Sequence, residues 1–124
     1  MRRFALTLAV FAVLVAGCGG DDQPGRTVTV PASGAVRIVA KEYSFDPSTI
    51  IVRKRGLVRI TLVNKGSLAH NLVLEGKVTV IPTLRAGATK SAGRMGFEGG
   101  EYEFVCTVGD HAELGMRGTI KVED

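Results

Sequence analysis

Chemically versatile side chains are scarce in this chain of 124 residues, which has two cysteines, two histidines, three methionines and no tryptophan. Two cysteines allow at most one disulfide, so a small core stapled by several bridges is excluded. A large surplus of charge is also missing. The formal net charge is +4, falling to +2 once Arg2 and Arg3 are removed with the leader argued for below. That balance is too mild to imply a nucleic-acid partner. Arg53, Lys54 and Arg55 form the one tight basic cluster, and no aromatic ladder is interleaved with it as a stacking platform requires. Membrane-spanning runs are lacking as well: Phe4 to Ala16 is apolar apart from Thr7, and such a run falls short of the roughly 20 residues a bilayer needs. The length leaves no room for a second catalytic domain.

What is present at the N-terminus reads as an export signal over residues 1–17. Arg2 and Arg3 supply a positive n-region, the apolar run an h-region, and Ala16-Gly17 the small residues before Cys18. Leu14-Val15-Ala16-Gly17-Cys18 resembles the bacterial lipobox, which implies lipidation of Cys18 and an extracytoplasmic chain held at a membrane. An ordinary cleaved signal followed by an incidental cysteine is the alternative. Residues 18–33 then read as a lipidated cysteine and flexible tether, because Gly19-Gly20-Asp21-Asp22-Gln23-Pro24-Gly25 cannot bury enough apolar surface to order itself. The domain occupies 34–124.

Within that domain the pattern is one of short β-type runs: 36–40, 49–52, 57–63, 71–74, 101–106 and 118–122 are β-branched or aromatic and partly alternating. Asp46-Pro47, Arg55-Gly56, Lys65-Gly66, Glu75-Gly76 and Gly99-Gly100 punctuate them. No stretch offers an amphipathic helix, and Gly87 to Gly96 is too rich in glycine to propose one. The expectation is an all-β Greek-key sandwich of seven to eight strands.

With Cys18 assigned to the anchor, Cys106, His111 and Met116 stand five apart on one loop. His70 follows the turn that begins at Asn64, so it can reach the same end of the sandwich from a neighbouring strand. Taken singly, a buried cysteine is more often an inert small hydrophobe than a ligand. Here, however, both histidines and the one remaining cysteine fall in a single pattern. A free thiol outside the cytoplasm is an oxidation liability that metal ligation explains. A disulfide between Cys18 and Cys106 in a non-lipidated chain is the competing explanation. Two imidazoles, a thiolate and a weak thioether are the donor set of a trigonal copper site with a long axial bond, whereas structural zinc sites seldom use methionine.

Glu101 to Cys106, then Thr107-Val108-Gly109-Asp110-His111 and Ala112 to Val122, resembles the C-terminal copper loop of the cupredoxins, the group of plastocyanins and azurins. His70-Asn71 resembles their upstream ligand region. The resemblance implies one type 1 copper ion with His70, Cys106 and His111 equatorial and Met116 axial. It also implies that Asn71 braces the copper loop near the cysteine by hydrogen bonds. The loop spacing departs from both named subgroups, and no proline precedes His111.

The function expected from these residues is single-electron transfer between redox partner proteins, by way of the solvent-facing edge of His111, with Ala112 and Leu114 as a docking patch. Copper storage, delivery or resistance is the second reading, and an interaction module that has kept the motif is a third. An enzyme is not expected, since four metal donors fill the space a nucleophilic thiolate needs. Neither a nucleic-acid partner nor a small-molecule substrate is implied.

Overall fold

The computed structural model describes residues 25–75 and 77–124, so the export signal, Cys18 and the first part of the tether lie outside the described residues. Ten strands form: β1 (Thr27–Val30), β2 (Ala35–Lys41), β3 (Ser44–Asp46), β4 (Thr49–Val52), β5 (Leu57–Asn64), β6 (His70–Leu74), β7 (Val78–Leu84), β8 (Thr89–Gly96), β9 (Gly100–Val105) and β10 (Arg117–Val122). They make a six-stranded sheet in the order β1-β4-β10-β9-β6-β7 and a four-stranded sheet in the order β3-β2-β5-β8. Both sheets are mixed: β1, β4 and β10 run parallel, as do β2 and β5, and the other pairings are antiparallel. No helix forms among the described residues.

Alternation builds the layer between the sheets. In β5, Val58, Ile60, Leu62 and Asn64 are buried while Leu57 and Arg59 are exposed, the period-2 pattern of a strand with one wet face. Ile38, Ile50, Leu72, Ile81, Phe104 and Ile120 fill the core from both sides. Phe45 of the smaller sheet meets Phe104 of the larger edge to face, with ring centroids 5.2 Å apart, the preferred aromatic geometry.

The all-β sandwich is as expected, with more strands than the sequence showed. β7 and β8 are edge strands. β7 is interrupted by Pro82, which cannot donate to a ladder, and β8 is mostly exposed, so neither reads as a half-buried strand. β3 is three residues long. The remaining difference is a correction to the domain boundary: β1 lies inside the stretch 18–33 read as tether. It pairs with β4 from Thr27↔Thr49 to Val30↔Val52, and Arg26 Nε donates to the buried Asp46 Oδ1 at 3.0 Å. The folded domain therefore begins before residue 34, because Val28 and Val30 join the core and the ladder satisfies the backbone there.

Strand directions fix where side chains gather. The start of β6, the ends of β2, β5 and β9 and the start of β10 all fall at one pole of the sandwich. The opposite pole holds the end of β4, the starts of β5 and β9 and the C-terminal residues Glu123 and Asp124.

Candidate metal centre

Cys106 is the first residue after β9, and its N–H donates to Met116 O at 3.1 Å, so the loop it opens is closed by the residue that precedes β10. Inside the loop His111 N–H donates to Val108 O and Met116 N–H to His111 O, at 3.1 and 3.0 Å. These bonds coil the segment from Cys106 to Met116 tightly enough to turn His111 inward. Gly115 makes the coil possible, since its φ of 102° is one that L side chains rarely adopt. His70 enters as the first residue of β6, beside a register shift in the β6–β7 ladder, the kind of irregularity that re-aims a side chain next to a site.

The result is a compact set of donors. His70, Cys106 and His111 are all buried. His70 Nδ1 lies 3.2 Å from His111 Nδ1, and Cys106 Sγ lies 3.9 Å from the first and 3.5 Å from the second. A point equidistant from the three atoms sits about 2.1 Å from each, within the roughly 2.0–2.3 Å of transition-metal bonds to imidazole nitrogen and thiolate sulfur. The residues therefore fit a metal ion held by two imidazoles and a thiolate. Met116 is fully buried and is joined through its backbone to both Cys106 and His111.

Asn71 stitches β6 to this loop: its Nδ2 donates to Thr107 Oγ1 at 2.9 Å and its Oδ1 accepts from Thr107 N–H at 2.8 Å. Because Thr107 follows Cys106, the pair of bonds fixes the backbone that carries the sulfur.

Three residues at the site were not singled out in the sequence. Asn64, fully buried, donates through Nδ2 to Leu68 O and Leu84 O and accepts from Gly66 N–H, at 2.9, 3.0 and 2.9 Å. It thereby shapes the turn that delivers His70. Glu42, after β2, accepts at Oε1 from Ser67 N–H and Leu68 N–H, each at 2.8 Å, and lies 3.1 Å from His70 Nε2. The hydrogen bond from Leu68 leads the interactions that hold its carboxyl below the ordinary carboxylate value. Burial lowers the His70 imidazole below its ordinary value, which favours the neutral, ligating form. The third residue, Tyr43, packs edge-on against His111 with ring centroids 5.1 Å apart. It covers the histidine, which is only 6% exposed, so the edge expected to face solvent is largely shielded. Among the apolar residues nearby, Leu114 is 51% exposed and Ala112 half-buried. Glu42 lies 28 residues from His70, and no short-range spacing signals such a contact. Asn64 was visible only as a turn residue.

Known proteins agree with this architecture. The copper-resistant cuproprotein CopI of Rubrivivax gelatinosus is 31% identical over 116 residues, covering 78% of this chain and 66% of its own length. The chain thus spans a little under two thirds of that relative. Reduced auracyanin from Roseiflexus castenholzii superposes with a TM-score of 0.67 at 19% identity, covering 75% of this chain and 99% of its own. Auracyanin B gives 0.57 at 21% identity, covering 85% and 94%. The fold is therefore cupredoxin-like, and with residues 14–124 matching its pattern the chain belongs to the family described as PQQ-associated.

Proposed function

We propose that this protein binds one copper ion in a type 1 site and passes single electrons between redox partners. The observation that carries the reading is the buried triangle of His70 Nδ1, His111 Nδ1 and Cys106 Sγ, a donor set that suits both oxidation states of copper. Cys106, His70 and His111 would hold the ion with Met116 as a further donor, while Asn71 and Asn64 would keep the ligands from rearranging. Copper supplies the Cu(II)/Cu(I) couple. The chain's own contribution is a ligand frame tied by hydrogen bonds on several sides, which limits the structural change that would slow electron transfer, and the shielding of His111 by Tyr43. The family description, PQQ-associated, makes a PQQ-dependent protein the first electron donor to test.

Copper storage, delivery or resistance is the second reading, and the likeness to a copper-resistant cuproprotein favours it. We further propose that Cys18 is lipidated and anchors the domain at the extracytoplasmic face of a membrane, as the n-region, apolar run and Ala16-Gly17-Cys18 support. The protein acts as a carrier or binder and not as an enzyme.

The test is the visible and EPR spectrum of the purified chain after Cu(II) is added. An intense thiolate-to-copper band with narrow parallel hyperfine splitting, lost in Cys106→Ser, is the expected result. A colourless or tetragonal copper spectrum sinks the type 1 reading. Voltammetry then separates the two roles: a reversible one-electron wave is expected of a carrier, whereas fast loss of Cu(I) to a competing chelator without such a wave marks a copper-handling protein.

A further inference from the structure

Glu42 stands outside the expected ligand set, yet its Oε1 collects three donors. Two are the backbone N–H groups of Ser67 and Leu68, and the third is the Nε2 edge of His70, at 2.8, 2.8 and 3.1 Å. An ionised carboxylate can only accept hydrogen bonds, so His70 must carry its proton on Nε2 to make the third one. A neutral imidazole with its proton there presents a bare lone pair at Nδ1, the atom facing His111 Nδ1 and Cys106 Sγ. Gly66 keeps the arrangement close: a Cβ at this position would run into Glu42 Oε1 and come within 2.9 Å of His70 Nε2. A negative charge hydrogen-bonded to the far nitrogen of a ligating imidazole makes that imidazole a stronger donor.

We propose that Glu42 is a positioning residue for the copper centre, selecting the Nε2–H tautomer of His70 and placing a fixed negative charge one imidazole away from the metal. The proposal rests on the copper reading above for its effect on the metal, and on geometry alone for its effect on the tautomer. A purely structural role, tying the turn after β2 to the loop before β6, is the competing account, because the same oxygen also holds Ser67 and Leu68.

The experiment uses the full chain in detergent, with Glu42→Ala and Glu42→Gln. The glutamine keeps an accepting oxygen but not the charge, so it retains the loop contacts. The His70 tautomer is read first from the ¹⁵N shifts of the metal-free protein, before any copper is added. Wild type and Glu42→Gln are expected in the Nε2–H form, and Glu42→Ala in a mixture. Cu(II) affinity is then measured by competition, with Glu42→Ala expected about 10–100-fold weaker and Glu42→Gln closer to wild type. The Cu(II)/Cu(I) potential of Glu42→Gln is expected above that of wild type, since removing a nearby negative charge disfavours the more positive ion. A Glu42→Ala protein that keeps the Nε2–H tautomer and binds Cu(II) within about twofold of wild type overturns the positioning role. An unchanged potential in Glu42→Gln overturns the role of the charge. Should Glu42→Ala fail to fold, the glutamine variant alone decides through its potential. Failure of the wild type to take up Cu(II) defeats the copper reading and leaves the tautomer measurement to decide the rest.

Discussion

The two poles of the sandwich use similar polar groups in opposite ways. At the pole that gathers His70, Cys106 and His111, Asn64 and Asn71 place their side-chain amides where little water reaches, each bonded to backbone or hydroxyl groups of a neighbouring segment. At the other pole, Arg55 pairs with Glu98 and Asp124, and Arg53 with Glu123, all on the surface. Exposed ion pairs give little net stability because water and salt compete for the same charges. Buried hydrogen bonds matter through asymmetry: losing one partner strands the other without water, at about 1–3 kcal/mol for each group. One pole is thus built for fixed geometry and the other for solubility.

Substitutions at both poles put that contrast to the test. The largest effect is expected from Asn64→Ala, which strands Leu68 O, Leu84 O and Gly66 N–H and should lower the stability measured by denaturant unfolding by about 3 kcal/mol. Gly118→Ala tests packing at the same pole without touching a hydrogen bond. Its added methyl would collide with the ring of the fully buried Phe104, and overpacking of this kind costs about 1–3 kcal/mol. Asn71→Ala should cost less stability than Asn64→Ala, because its partner Thr107 is exposed and can turn to water, yet bind copper about tenfold more weakly, as competition titration would show, because Thr107 and with it Cys106 lose their brace. Arg55→Ala is the smallest: its melting temperature should match wild type at low and at high salt. A drop comparable to that of Asn64→Ala would erase the distinction between the poles.

The sequence carried the site more clearly than the sheet around it. Cys106, His111 and Met116 are legible because one loop holds all three, and the spacing survives whatever the strands do. The core strands β2, β4, β5, β9 and β10 announced themselves through buried β-branched runs. β7 and β8 did not: β8 is an edge strand with few apolar residues, and β7 carries Pro82, tolerated at an edge where no neighbour requires its N–H but a strand-breaker in the sequence. β1 was hidden for a different reason: Thr27 to Val30 looks ordinary beside a glycine-rich segment, and only its parallel pairing with β4 gives it a role. Glu42 and Tyr43 were beyond reach because their partners, His70 and His111, are brought to them by tertiary folding.

The loop between Cys106 and Met116 is closed at its base by the bond from Cys106 N–H to Met116 O, and the ladder continues at once with Val105 opposite Arg117. Its length is therefore uncoupled from the register of β9 and β10. Insertions or deletions between these two residues leave the β9–β10 pairing in place while altering where His111 and Met116 stand relative to Cys106 and His70. That makes the segment an exchangeable cassette, through which a lineage can reshape the site in a few mutational steps without having to re-evolve the scaffold.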